Sequence, residues 1–218
     1  MSLLSAILLG LIQGVAEFLP ISSSGHLAIA EHLLSTGSID VPDFYDVLLH
    51  LGTLIAVFVA YWQDIREMVV EFFSGVRDLA RGTTPNPVPP ARRLILLIIV
   101  GTLPLFAVLP VKDLVESLGD NLYFVAGALV FTGLLLFASD RVRKGRKTEK
   151  NATLVDVLLV GVGQAIATCP GISRSGTTIP AGCFVGFERK CAVRFSHLLS
   201  IPALPGAKTL SLNDALEG

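Results

Sequence analysis

Residues 13–27 read QGVAEFLPISSSGHL, and this stretch decides the fold. It begins in an apolar run but carries Glu17, Pro20, three consecutive serines and His26. Pro20 breaks a helix because it has no backbone N–H group and restricts the residue before it. Irregular backbone at membrane depth is tolerated only where it is buried in protein or lines a cavity. The stretch therefore predicts a re-entrant helix–turn–helix.

Residues 163–179, which read GQAIATCPGISRSGTTI, repeat this pattern. An offset of 151 residues places Gln13 on Gln164 and Ser22 on Ser173. Polar, broken elements at corresponding places in two halves of a hydrophobic chain predict one membrane-embedded site to which both halves contribute.

The composition predicts a membrane protein. The 218 residues are 52% hydrophobic and 16% charged, and the mean hydropathy is +0.68, whereas a soluble domain has about 25% charged residues. The formal net charge of −1 provides no basic field for nucleic acid. The predicted fold class is an all-α polytopic membrane protein.

Apolar runs alternate with charged connections along the chain. After the apolar run at 3–19 and its loop, spanning helices are predicted at residues 44–62, 94–111 and 122–139. Basic residues concentrate in the connections 63–93 and 141–150, so the positive-inside rule places these in the cytoplasm and the connections 30–43 and 112–121 outside.

We expect a single integral membrane domain over residues 1–218, made of repeat one at about 1–140 and repeat two at about 151–218. Three crossings between the loops would invert the second repeat, so that both loop tips meet near the bilayer midplane. A short apolar return from Ile179 should lead to a further helix near Phe195. The spans at 94–139 would map beyond residue 218, so repeat two is expected to be incomplete at its C-terminus.

The two loops together offer the groups of a hydrolytic anion site. Arg174 is costly inside a membrane and needs an anionic partner, and its planar fork of donors suits a phosphate. Glu17 would repel that anion unless it acts as a base or holds a cation such as Mg²⁺ or Ca²⁺. A serine or His26 is the candidate nucleophile, with Glu17 or His26 as proton carrier. Further hydroxyls for holding the anion stand at Ser22, Ser173, Ser175, Thr177 and Thr178.

Structural roles remain open alternatives for these residues. Glu17 alternatively serves only as the partner of Arg174, His26 caps the loop, and the serines cap or pack helices. Gln13 and Gln164 alternatively form interhelical hydrogen bonds.

Asp46 and His50 lie one helical turn apart in the first predicted span. Polar side chains inside a membrane face the interior or a cavity. We expect this pair to line the cavity in a supporting role.

The motifs QGVAEFLPISSSGHL and PGISRSGTT resemble those of a known family, the bacterial undecaprenyl-diphosphate phosphatases, also called bacitracin-resistance proteins. The resemblance follows the order of the hydrophobic segments along the whole chain. It implies inverted repeats with two re-entrant loops and removal of the terminal phosphate from undecaprenyl diphosphate, which regenerates the lipid carrier for peptidoglycan. It also implies a site open to the outer face of the cytoplasmic membrane and a requirement for a divalent cation.

The resemblance assigns roles by position. Glu17 becomes the catalytic and metal-binding carboxylate, and Gln13, which precedes it where the family has Glu or Gln, becomes a substrate-binding residue. Ser23 and His26 become the nucleophile and the acid–base group, with either order open. The phosphate-holding loop of the family falls on Ser173, Arg174 and Thr178.

The expected partners are a polyprenyl diphosphate substrate and membrane lipids, with no nucleic acid, and with a homodimer as an alternative to a monomer.

The rival class is a transporter or flippase for an anionic lipid, since broken helices at the midplane are a transporter architecture. The Ser-Gly-His sequence that ends at His26 favours hydrolysis, because a carrier needs Arg174 but neither a nucleophile nor a base. A purely structural membrane subunit would leave the paired polar loops without a reason.

Overall fold

Helices account for nearly all regular structure in the computed structural model, which describes residues 3–34, 43–83 and 85–217. Within these ranges there is no β-strand, only an isolated parallel bridge between Lys147 and Phe187. The α-helices are α1 (Leu3–Phe18), α2 (Ser23–Leu34), α3 (Asp43–Ala60), α4 (Trp62–Ala80), α5 (Pro90–Phe106), α6 (Lys112–Ser117), α7 (Leu122–Arg141), α8 (Leu154–Ile166), α9 (Arg174–Phe184) and α10 (Arg189–Glu217). The prediction of an all-α protein is confirmed.

Two stretches of helix are long and apolar enough to cross a membrane, Pro90–Ser117 and Leu122–Arg141. They confirm the spans predicted at 94–111 and 122–139. The helices α3 and α4 qualify as a third candidate only when taken together, and they meet at a bend of 81°. Large apolar side chains such as Val130 and Leu134 stand exposed on these helices, as side chains that contact lipid do. The chain is a membrane protein.

The charged segment after α3 is helical, although the sequence predicted a connection over 63–93. Within α4, Glu71 and Asp78 pair with Arg92 of α5 at 2.6 and 2.8 Å. Glu71 and Asp78 lie two helical turns apart and both find their partner on a neighbouring helix, so these charges are compatible with a helix. Large apolar side chains of α4 are exposed at Val69, Phe72 and Phe73.

Three other predicted boundaries were wrong by several residues. The first polar connection was placed at 30–43, but α2 continues to Leu34, and residues 35–42 lie outside the described residues. The helix after the second loop begins at Arg174 rather than Ile179. The last helix begins at Arg189 rather than near Phe195, because Gly186 with a φ of 93° ends α9 and the N–H of Ala192 then donates to the carbonyl of Glu188.

The described core lies around the second broken helix pair. Leu97 of α5, Val157 of α8 and Leu198 of α10 are fully buried together. Gly101 and Gly161 allow α5 and α8 to approach closely, because a Cβ on Gly161 would collide with the carbonyl oxygen of Gly101. The pair α8–α9 is therefore held on several sides.

A polar cluster joins the helix ends at one side of the bundle. Arg194 of α10 pairs with Asp64 at 2.6 Å and with Glu149. Arg93 of α5 donates to the backbone carbonyls of Glu149 and Ala152 at 2.9 and 2.8 Å. These contacts attach the loop before α8 to α4, α5 and α10, and so fix where α8 starts.

Candidate active site

A serine caps the helix after each break in the same way. The Ser22 Oγ accepts a hydrogen bond from the Gly25 N–H at 3.2 Å, and the Ser173 Oγ accepts one from the Gly176 N–H at 3.0 Å. In each case the capping residue bonds to the amide three positions later, which satisfies a helix donor that would otherwise be unpaired. The capping alternative for these two serines is thus what the structure shows.

The glycines behind the caps let both loops approach α7. A Cβ on Gly25 would lie 2.9 Å from the Cδ2 of Leu129. A Cβ on Gly176 would lie 2.5 Å from the Cγ2 of Thr132 and 2.7 Å from the carbonyl oxygen of Pro20. The second loop therefore touches both α7 and the first loop, which brings the two breaks together.

Glu17 connects the two halves. The Ser23 hydroxyl donates to its Oε2 at 2.5 Å, and the Arg174 Nη2 donates to its Oε1, also at 2.5 Å. Ser23 and Arg174 are the first residues of α2 and α9 and correspond at the offset of 151. Gln13, one turn earlier in α1, donates to Oε2 at 3.2 Å. A carboxylate thus holds a hydroxyl from its own half and a guanidinium from the other.

These groups lie on the wall of a cavity of about 420 Å³. The side chains of Glu17 and Arg174 are only 11% and 23% exposed, so their charges face each other with little solvent. Apolar residues of α5 and the turn after it, including Phe106 and Leu109, form another part of the wall. The polar lining consists of Glu17, Ser22, Ser23, Ser24, His50, Thr102, Lys112, Glu116, Gln164, Thr168, Ser173, Arg174 and Ser175. A cavity with a polar end and apolar walls suits an amphipathic ligand.

Two predicted anion-holding hydroxyls are engaged elsewhere. The Thr177 hydroxyl donates to the carbonyl of Ser173 at 2.8 Å, and the Thr178 hydroxyl donates to the carbonyl of Arg174 at 2.8 Å. The Thr178 hydroxyl also lies 2.6 Å from that of Ser196. Both threonines are buried, and neither is among the described residues that line the cavity. Their place in this structure is to hold α9, whereas Ser175 does line the cavity.

The two histidines of the first half occupy different places. The Nδ1 of His26 lies 2.7 Å from the Ser22 carbonyl, and His26 is not among the described lining residues. His50 of α3 does line the cavity, where the sequence predicted a supporting residue. The side chain of Asp46, its predicted companion, lies outside the described part of the structure.

Gln164 lines the cavity, although the sequence matched it to Gln13 without assigning it a role in the site. It is 2% exposed and lines the cavity, and neither its Nε2 nor its Oε1 has a hydrogen-bond partner among the described residues. The interhelical hydrogen bond offered as an alternative is therefore not present for Gln164, and the bond of Gln13 lies within α1. The signal for its place at the site is the correspondence with Gln13 that the repeat shows.

The residues fit a divalent cation only in part. The described residues contain no cluster of three His, Cys, Asp or Glu side chains that could enclose a metal ion. Glu17 is the carboxylate within reach of the serines, and both of its oxygens already accept hydrogen bonds. Mg²⁺ commonly takes one or two carboxylates and completes its shell with water and substrate phosphates. The site suits a cation that arrives with a phosphorylated ligand, rather than one held by protein groups alone.

Comparison with known proteins places the chain in a defined group. A family model described as bacitracin resistance protein BacA matches residues 6–217. A protein named undecaprenyl-diphosphatase from Alkaliphilus metalliredigens is 42% identical over 222 residues, which cover 100% of this chain and 79% of that protein. Proteins with the same name are 40% identical in Methanosphaera stadtmanae, over 98% of this chain and 78% of the relative, and 43% identical in Syntrophotalea carbinolica, over 97% and 77%.

Proposed function

Because the chain belongs to the bacitracin resistance protein BacA family, we propose that it hydrolyses undecaprenyl diphosphate to undecaprenyl phosphate and inorganic phosphate. This activity returns the lipid carrier to peptidoglycan synthesis and confers resistance to bacitracin. Relatives that carry the name undecaprenyl-diphosphatase match the chain over nearly its whole length.

The observation that carries the proposal is the contact of one carboxylate with a hydroxyl and a guanidinium. Glu17 accepts from Ser23 and from Arg174 on separate oxygens, both at 2.5 Å. A hydroxyl bonded to a carboxylate is a nucleophile with its base already in place. A guanidinium has five N–H donors, so the pair with Glu17 leaves donors for the oxygens of a phosphate.

The chemistry then runs in two displacements. The Ser23 Oγ forms a bond to the distal phosphorus while its proton passes to Glu17, and the bond from that phosphorus to the bridging oxygen breaks. Lipid monophosphate leaves with the electron pair. Water then attacks the phosphorus of the phosphoserine and the bond from phosphorus to the Ser23 Oγ breaks. The proton held by Glu17 returns to the Ser23 Oγ, and inorganic phosphate leaves with the oxygen of the water. Phosphoryl transfer depends mainly on positioning and charge stabilisation, and Arg174 supplies the positive charge.

His26 has a positioning role in this scheme. Its Nδ1 is bonded to the carbonyl of Ser22, the residue before the nucleophile. It would hold the turn that presents Ser23, while proton transfer belongs to Glu17. The opposite order, with His26 as nucleophile, has less support because the ring does not line the cavity among the described residues.

A divalent cation, Mg²⁺ or Ca²⁺, belongs to the proposal. Glu17 and the Ser23 hydroxyl are the protein groups that would contact it, with the remaining ligands coming from the diphosphate and water. When bound, the cation would neutralise phosphate charge during transfer.

The decisive experiment measures phosphate release from undecaprenyl diphosphate in detergent with Mg²⁺. We expect Ser23→Ala to lower the rate by at least about 10³-fold, because loss of a nucleophile removes the whole covalent route. His26→Ala should lower the rate only about tenfold, because this variant retains the nucleophile Ser23 and the base Glu17. Ser139→Ala is the matched control: this buried hydroxyl of α7 donates to the carbonyl of Leu136, away from the cavity, and the rate should stay unchanged.

Several outcomes would count against the proposal. A wild-type protein that releases no phosphate would contradict the hydrolase activity and favour the carrier. A larger loss in His26→Ala than in Ser23→Ala would reverse the assignment of nucleophile. Acid quenching with a substrate labelled in its distal phosphate should trap label on wild-type protein and none on Ser23→Ala.

We also place the protein in the bacterial cytoplasmic membrane with the cavity open to the outer face. A cysteine introduced at Leu109 on the cavity wall should react with an impermeant maleimide added to intact spheroplasts. A cysteine at Lys144, in the basic loop after α7, should react only after permeabilisation, with the native cysteines replaced in both. A homodimer remains the alternative to a monomer, and sedimentation in detergent would distinguish them.

A further inference from the structure

Gln164 is an unusual residue for a well-packed helix. It lies on α8 with 2% of its surface exposed, and both polar atoms of its carboxamide lack partners among the described residues. A buried polar group without a hydrogen bond costs free energy, and most buried groups avoid that cost. A ligand that supplies the missing hydrogen-bond partner removes this unfavourable free energy.

The position of Gln164 indicates where such a ligand would bind. Gln164 lines the same cavity as Arg174 and Ser175, and it stands one turn before Thr168, which also lines the cavity. Gln13 stands in the equivalent relation to Glu17 and donates to that carboxylate. Thr168 offers no negative charge, and its hydroxyl donates to the carbonyl of Ala165. The second half therefore has a carboxamide donor, Gln164, that corresponds to Gln13, but it has no carboxylate that corresponds to Glu17.

We propose that Gln164 is a specificity-determining residue whose carboxamide binds the distal phosphate of the diphosphate substrate. The Nε2 donates to a phosphate oxygen, and the Oε1 accepts from water that enters with the headgroup. This inference rests on the proposed function. In this proposal the anion that accepts from the Gln164 amide is the substrate phosphate, which lies between that neutral amide and the guanidinium of Arg174.

The arrangement separates substrate from product. The lipid product retains one phosphate and lacks the distal one, so it would leave the Gln164 amide unpaired. A site with a buried donor discriminates strongly against a ligand that lacks the matching acceptor. Gln164 would thereby favour release of undecaprenyl phosphate after transfer.

The test compares wild type with Gln164→Met, Gln164→Glu and Thr53→Val. Met preserves the length of the side chain without its polar atoms, and Glu places a negative charge against the phosphate. Thr53 is a buried residue of α3 whose hydroxyl bonds to the carbonyl of Leu49 away from the cavity, so its variant controls for loss of a buried polar group. The measurements are KM and kcat for undecaprenyl diphosphate, inhibition by undecaprenyl phosphate, and the thermal midpoint with and without pyrophosphate.

We expect Gln164→Met to raise KM about tenfold with kcat changed less than about threefold, as loss of one neutral hydrogen bond predicts. Inhibition by undecaprenyl phosphate should stay unchanged. The thermal midpoint without ligand should equal or exceed that of wild type, because the variant removes an unsatisfied buried group. Gln164→Glu should raise KM further, and Thr53→Val should leave KM unchanged.

An unchanged KM in Gln164→Met would overturn the inference, and so would a lower midpoint that accompanies weaker binding of both lipids, since that pattern belongs to a structural role. The proposed function fails separately. Suppose that pyrophosphate stabilises the wild type but not Gln164→Met, and that the wild type hydrolyses no lipid. This result would support the binding role of Gln164 and contradict the proposed hydrolase activity. A wild type that shows neither hydrolysis nor stabilisation by pyrophosphate would overturn both.

Discussion

The two broken helix pairs, α1–α2 and α8–α9, use the same serine cap for two different purposes, although the φ angle is 70° at Ser22 and −71° at Ser173. Each has a capping serine and a glycine against α7, at Ser22 and Gly25 or at Ser173 and Gly176. The first residue after the cap differs: it is a hydroxyl in one pair and a guanidinium in the other. The shared cap puts Ser23 and Arg174 at equivalent helix starts, and the side chain decides which part of the chemistry is done there.

The surroundings of the two pairs also differ. The hydrophobic core cluster contains Val157, Val160 and Cys183 of α8 and α9 and no residue of α1 or α2. Leu9 of α1 and Leu27 of α2 are buried outside that cluster. The half with Arg174 thus packs against the core cluster, while the half with Glu17 and Ser23 packs beside it. Anion binding profits from such packing, because preorganised charges need not rearrange during reaction.

The largest expected effect comes from removing the carboxylate that joins the pairs. Glu17→Gln should lower phosphate release by about 10³-fold, within the range of about 10²–10⁴ for loss of a general base. Adding Thr168→Glu, which moves the carboxylate to the corresponding place in the second half, should not restore the rate, since Ser23 has no counterpart hydroxyl there. Single-turnover phosphate release checks both variants. Recovery in the double variant would show that the two halves are interchangeable.

Arg174→Lys should have the next largest effect. Lysine keeps the charge but lacks the planar fork that binds two oxygens at once, and a charged hydrogen bond contributes about 1.5–3 kcal/mol. We expect kcat/KM to fall about 10- to 100-fold, mainly through KM. Arg92→Lys is the matched control, because Arg92 pairs with Glu71 and Asp78 away from the cavity. Equal losses in the two variants would contradict a special role for the second loop.

The glycines test whether the two caps are equally constrained. A Cβ on Gly176 would meet Thr132 at 2.5 Å and the backbone of Pro20 at 2.7 Å, whereas one on Gly25 would meet the movable end of Leu129 at 2.9 Å. Gly176→Ala should therefore lower the free energy of unfolding by about 1–3 kcal/mol, as overpacking does, and Gly25→Ala by less. Thermal unfolding in detergent gives the comparison. A greater loss in Gly25→Ala would place the tighter loop in the first half.

The smallest effect concerns the start of α8, where Asp156 accepts from Lys147 at 2.8 Å and from the backbone N–H of Thr153 at 2.8 Å. Burial raises the pKa of Asp156, but these hydrogen bonds outweigh burial and hold the pKa below its usual value. Asp156→Asn should cost about 1 kcal/mol at neutral pH, as loss of a helix cap does. A lowered pKa in the folded state adds stability above the unfolded value of about 3.9, and this stability is lost as the pH falls through the folded value.

Thermal midpoints of wild type and Asp156→Asn, measured from neutral to acid pH, check this expectation. The difference between them should persist above roughly pH 4 and shrink below it. A difference that is constant through this range would mean that the carboxylate charge does not anchor the second helix pair.

Much of this architecture could be predicted from particular residues. Pro20 marked the first break, and the offset that places Ser22 on Ser173 marked the second. The sequence does not predict α4, because a run of charged residues is typical of a loop, whereas Glu71 and Asp78 in fact pair with Arg92 of a neighbouring helix. The inverted orientation of the repeats and the roles of the site residues stay predictions.

The sequence alone determined that this is a helical membrane protein with two polar breaks, because hydropathy, proline and helix capping act over short distances along a chain. Only the tertiary structure decided that Ser23 and Arg174 meet on opposite oxygens of Glu17. Arg174 and Glu17 are 157 residues apart, and their contact depends on how Gly25 and Gly176 seat both loops against α7. The structure also decided that the Nε2 of Gln13 has a partner, whereas neither the Nε2 nor the Oε1 of Gln164 has one among the described residues. Two glutamines with the same local pattern differ because one faces a carboxylate and the other faces a cavity.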